Sequence, residues 1–160
     1  MTELWIGFIF IFLALVVVSD LYARKVKNMV LVVVFLIQSG FFVVWYLDKA
    51  AFATLYFFPS LVSAFAAFFL GALFFFPLWM KRIMGAGDVK FISILGFVVG
   101  LASGAQVVLV AGLFAGLHAL IQALQVRKEG PGKKIERRGV PYAGYIALTA
   151  IIWLIWKLLE

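Results

Sequence analysis

The sequence predicts an all-α fold: a polytopic membrane protein of six transmembrane helices, with N and C termini outside. Three observations carry this expectation. Hydrophobic residues make up 66% of the 160-residue chain and charged residues 13%, with a mean hydropathy of +1.16. A soluble domain holds about 45–50% apolar and about 25% charged residues, and a chain this short has too much surface to bury the excess in one aqueous core. Apolar stretches recur at close to the length of about 20 residues that crosses a hydrocarbon layer of about 30 Å. Lysine and arginine gather in alternate loops between those stretches. The chain is thus one transmembrane domain, 1–160.

The elements follow in order. Residues 4–19 carry no charge and close at Asp20. The stretch is like the apolar part of a signal peptide but lacks a basic start and a small-residue cleavage site, so it reads as a retained first span. The second span is 29–47. Residues 50–80 are uncharged, and Pro59 sets the start of the third span, 60–80. Residues 91–126 are too long for one crossing. The stretch Leu101-Ala-Ser-Gly-Ala-Gln106 is expected to break them into a short fourth span, 89–104, and a fifth, 106–126. The sixth is 139–156. Trp5, Trp45, Trp79, Trp153 and Trp156 fall near span ends, as an interfacial aromatic belt requires.

Six spans put both termini on one side. Twelve of the fourteen basic residues then fall on the other: Arg24, Lys25 and Lys27; Lys81, Arg82 and Lys90; and six between Arg127 and Arg138. The positive-inside rule makes these loops cytoplasmic. The net charge of +7 is therefore mainly topological, and the loop from Arg127 to Arg138 reads as an anchor touching anionic lipid. No nucleic-acid partner is expected, because no RNA-binding motif accompanies the charge. The absence of cysteine excludes thiol catalysis, disulfides and thiolate metal sites. A single histidine, His118, leaves a multi-histidine metal site without ligands. Neither a metal nor a cofactor is expected.

The seven acids are more telling. Glu3, Asp48 and Glu160 lie at outer ends, and Glu129 and Glu136 sit inside the basic loop. Asp20 ends the first span and Asp88 opens the fourth. A topology derived from Lys and Arg alone thus brings both to the same cytoplasmic face. Around Asp88 the chain reads Met84-Gly-Ala-Gly-Asp-Val-Lys90. Glycines allow close backbone approach, and non-helical backbone at membrane depth is tolerated where it is buried or lines a water-filled cavity. A phosphate loop is excluded, since no Gly-Lys-Ser/Thr follows, and a dinucleotide fingerprint lacks its third glycine. His118 reads as a buried, hydrogen-bonded side chain away from the depth of the two acids. Gly112 and Gly116 allow close helix packing, either within the chain or between copies in a homo-oligomer.

Gly85, Gly87, Asp88 and Lys90 spell a Gly-x-Gly-Asp-x-Lys pattern that resembles the type IV prepilin peptidases, GxGD-type membrane aspartic peptidases. In that family the first catalytic Asp ends a span and is followed by a basic loop and Ile-Pro-Asn. Asp20 to Asn28 has that spacing, with Val26 for Ile and Lys27 for Pro. Gly139-Val-Pro141-Tyr142-Ala143 is similar to the Val-Pro-Tyr start of the family's last span. The larger, bifunctional members carry a cysteine-bearing insertion and a methyltransferase activity. This chain is expected to be similar to the minimal branch for Flp (tight-adherence) pilins, without methyltransferase.

The resemblance implies Asp20 and Asp88 as catalytic residues, with Gly85, Gly87, Lys90, Asn28, Pro141 and Tyr142 positioning motif or substrate. It implies a prepilin substrate with a short basic leader and an apolar helix, cut at the cytoplasmic face of the plasma (inner) membrane. Two neighbouring carboxylates share one proton, so one activates water while the other polarises the scissile carbonyl. The alternative from another class is a small proton-coupled transporter using Asp20 and Asp88 as a proton relay. A transporter favours acids near the midplane and inverted repeats, whereas both acids here sit at one edge.

Overall fold

The computed structural model describes residues 1–52, 55, 57–128 and 141–160. Among them the chain forms six α-helices and no strand: α1 (Thr2–Ala23), α2 (Asn28–Leu47), α3 (Leu61–Met80), α4 (Ala86–Val99), α5 (Leu101–Lys128) and α6 (Tyr142–Leu159), with one 3-10 turn at Lys49–Phe52. All but α4 are long and apolar enough to cross a membrane. Large apolar side chains such as Leu36, Phe69, Leu109 and Ile152 cover the outer surface, as lipid contact requires. The chain is a multi-pass membrane protein.

The short helix is the centre of the bundle. At about 1.5 Å per residue, α4 is about 21 Å long, less than a hydrocarbon core. It compensates by enclosure. Every residue from Phe91 to Val99 is buried, and α2, α3, α5 and α6 all pack on it. The closest approach is to α3, where a Cβ added to Gly96 would lie 2.9 Å from the Ala67 Cβ. Phe97 stacks on Phe35 with ring centroids 4.7 Å apart, and Phe91 meets Phe12 of α1 edge-on at 5.7 Å.

The break between the fourth and fifth spans falls at Gly100, not across 101–106. Gly100 takes φ +85°, a left-handed conformation that glycine adopts without steric cost. Beyond it, the Leu101 N–H donates to the Ser63 Oγ at 2.9 Å, and 101–106 is already helix. The fourth helix therefore ends at Val99 rather than at 104. The small residues expected to break the chain instead let α5 start close against α4. This makes α5 28 residues long, about 42 Å, so it overhangs α4 at the far end. The third helix begins at Leu61, with the Ser60 Oγ accepting the Ser63 N–H at 3.2 Å.

Two tryptophans leave the expected belt. Trp5 and Trp153 are buried in the core, where the Trp5 Nε1–H donates to the Gln38 Oε1 at 2.9 Å. That partner allows an indole to sit in a dry interior. Trp79 and Trp156 remain exposed. Most of the basic loop 127–138, with Glu129 and Glu136, and the Gly139-Val140 start of the last motif lie outside the described residues.

Candidate active site

Asp20 lies in the last turn of α1, where the negative end of the helix dipole disfavours a carboxylate. It is nevertheless only 5% exposed. What holds it comes from the other end of the chain: the Gly144 N–H of α6 donates to the Asp20 Oδ2 at 2.7 Å. Glycine suits this close approach, because a Cβ at that position would lie 3.2 Å from the same oxygen and would press on it. The chain leaves α1 through Arg24 in the left-handed region (φ 50°), whose N–H returns to the Asp20 carbonyl at 3.0 Å.

Asp88 sits in the first turn of α4, three residues after its N-cap, Gly85. Its carboxyl group reaches back toward the Gly85 N–H, as an acid at this position does in a capping box. A Cβ on Gly85 would lie 3.0 Å from the Asp88 Oδ2, so a side chain there would crowd the acid. The Ala143 N–H of α6 also faces this carboxyl group, and Asp20 and Asp88 lie in each other's field. Gly87 faces Val26 of the α1–α2 loop, at ordinary van der Waals distance for an added Cβ.

The first turn of α6 joins the two acids. Its N-cap, Pro141, makes no side-chain cap, and a helix start leaves its first N–H groups without partners inside the helix. Pro141 removes one of them, having no N–H. The amides of Ala143 and Gly144 turn to Asp88 and Asp20. Two carboxylates from distant elements thus take the place of a cap, at the positive end of the α6 dipole. Ala143 and Gly144 were not among the site residues expected from sequence. Their only signal there was two small residues directly after Pro141-Tyr142.

The other expected site residues are close by but play different parts. The Asn28 Oδ1, in the first turn of α2, accepts from the Lys90 Nζ at 3.2 Å. The pair ties the two halves of the motif together across 62 residues. Lys27, where the resemblance expects Pro, is the N-cap of α2 with φ −70° and ψ 125°, close to the φ that a proline ring imposes. The Tyr142 hydroxyl lies against Gly112 of α5, 3.5 Å from a Cβ built there, and within reach of the Asp88 charge. Gly112 therefore serves a contact inside the chain. Asn28 and Lys90 stand at the rim of a cavity of about 430 Å³ whose walls include Leu31, Phe35, Phe68 and Val89. Neither Asp20 nor Asp88 lines it.

Sequence counting put His118 away from the depth of the acids. The structure instead joins its Nδ1 to the Tyr145 Oη at 2.6 Å, and Tyr145 directly follows Gly144.

Chemically, the site is a pair of carboxylates held by backbone donors at one end of a helical bundle. No curated protein and no solved structure matches the chain. A family model, the type IV leader peptidase family, matches residues 7–120, a stretch that includes Asp20, Asn28, Gly85, Asp88 and Lys90. The chain belongs to the type IV leader peptidase family.

Proposed function

We propose that this chain removes the short basic leader from Flp-like type IV prepilins, with Asp20 and Asp88 as a metal-free acid–base pair at the cytoplasmic face of the plasma membrane. Family membership supports a leader peptidase acting on pilin-type substrates. The observation that carries the finer reading is the first turn of α6, whose Gly144 N–H binds Asp20 and whose Ala143 N–H faces Asp88. The orientation is supported by the basic loops at that end of the bundle.

Two carboxylates in each other's field do not both ionise readily, so the pair holds one proton. The ionised member takes a proton from water as the water oxygen attacks the scissile carbonyl carbon. The protonated member gives its proton to the carbonyl oxygen. The tetrahedral intermediate then collapses: one of its two hydroxyl groups returns its proton to the ionised member as the carbonyl re-forms, the C–N bond breaks, and the leaving amine takes a proton from the protonated member, so the pair again holds one proton. The pair titrates as a unit, so the two roles belong to it jointly. The amides of α6 are already aimed and need not reorganise during the reaction. The apolar cavity with Asn28 and Lys90 at its rim, which begins one residue along α4 from Asp88 at Val89, suits an apolar substrate segment.

The test is conversion of a co-expressed Flp-type prepilin on a gel. Wild type yields the shortened pilin, whereas Asp20→Asn and Asp88→Asn insert normally and leave the precursor intact. Conversion by either variant removes that aspartate from the reaction.

A further inference from the structure

The first turn of α6 can serve the two acids only if α6 keeps its place along its neighbours. The buried face of α6, which packs on α1, α5 and α4, is largely apolar, with Ala143, Ile146, Ala147, Ala150 and Leu154. Such contacts resist separation better than they resist sliding. Against α5, a directional contact exists. The His118 Nδ1 lies 2.6 Å from the Tyr145 Oη, and the Gln122 Nε2 lies 2.9 Å from the His118 Nε2. An amide nitrogen only donates, so the His118 Nε2 accepts. The proton of the neutral ring is then on Nδ1, which donates to Tyr145. Gln122 stands one turn beyond His118 on the same face of α5. The imidazole is thus fixed from both sides, and its ring meets the Tyr145 ring edge-on, with centroids 5.8 Å apart.

We propose that His118, Tyr145 and Gln122 form a positioning device for the aspartate pair, setting the register of α6 on α5 so that the Gly144 N–H stays on Asp20. The hydroxyl that His118 holds belongs to the residue next to Gly144, so little slack lies between the two contacts. The contact is half-buried, and a polar contact that fixes register within an apolar interface is a known use of such groups. The inference rests on the two-aspartate reading above. In this role the three residues act through Gly144 and not on substrate.

The test is steady-state cleavage of a purified Flp-type prepilin by Tyr145→Phe, His118→Leu, their double variant and His118→Gln, with melting curves for each. Tyr145→Phe and His118→Leu are expected to lower kcat by about three- to tenfold, the scale of one hydrogen bond, with KM unchanged. The double variant is expected to be no slower than the slower single one, as for two halves of one contact. His118→Gln, which keeps a polar partner for Tyr145, is expected to restore most of the rate. Wild-type kcat in both single variants overturns the proposal. So does a loss of rate that only tracks a loss of folded protein, or a change confined to KM. Should His118→Leu fail to accumulate, Tyr145→Phe carries the test, since its ring packing is kept. Asp20→Asn run alongside separates the two levels: if it cleaves, the two-aspartate reading fails, whatever Tyr145→Phe does.

Discussion

Gly144→Ala perturbs the site by one methyl group. The new Cβ would lie 3.2 Å from the Asp20 Oδ2 and 3.8 Å from the Pro141 Cβ. The acid must therefore retreat by a few tenths of an ångström, or α6 must rise. Asp20 is 5% exposed, so it has little room to retreat. Overpacking of this kind costs about 1–3 kcal/mol. In a helix, Ala gains about 1 kcal/mol over Gly, leaving a net loss of stability of about 0–2 kcal/mol. The rate is more exposed. The hydrogen bond at risk has a carboxylate acceptor and is worth about 1.5–3 kcal/mol, which corresponds to about ten- to hundredfold. Prepilin cleavage by Gly144→Ala should fall by about tenfold or more while its melting temperature moves little. Gly116→Ala is the comparison, because a Cβ there meets nothing within 4 Å. It should gain up to about 1 kcal/mol of stability and keep the wild-type rate. Full activity in a folded Gly144→Ala variant would refute the role given to the first turn of α6.

Further outcomes follow from single positions. Lys27→Pro should raise stability by about 0.4–1 kcal/mol in denaturant titrations, because φ is already −70° and the ring restricts the unfolded chain. Gly96→Ala should destabilise by about 1–3 kcal/mol, since the new Cβ meets the Ala67 Cβ at 2.9 Å and the Ala67 carbonyl oxygen at 3.2 Å; thermal melting reads this. Asp20→Ala should lower stability by about 1–2 kcal/mol more than Asp20→Asn, which keeps an oxygen for the Gly144 N–H; equal melting temperatures would contradict the capping role.

The six helices were legible because span length and the placement of Lys and Arg are properties of the one-dimensional chain. The break at Gly100 was not. Small residues at 101–106 suggest interruption, yet a helix accepts Ala, Ser and Gly when they let it pack closely. The feature that ends α4 is a single glycine with positive φ, followed by a serine acceptor 38 residues away in sequence. Asp20 and Asp88 were legible as a pair because few acids are present and topology aligns them. The backbone donors that hold them were not, because an amide carries no side-chain signature. The link between His118 and Tyr145 was not legible either, because it joins side chains 27 residues apart on separate helices.

The most direct measurement is intact-mass analysis of a purified Flp-type prepilin after incubation with the lipid-reconstituted protein, beside its Asp20→Asn and Asp88→Asn variants. The two-aspartate reading predicts one cut, at the leader boundary, made by wild type alone, with both variants inserted and folded. Cleavage by either variant, or no cleavage by wild type, would contradict it.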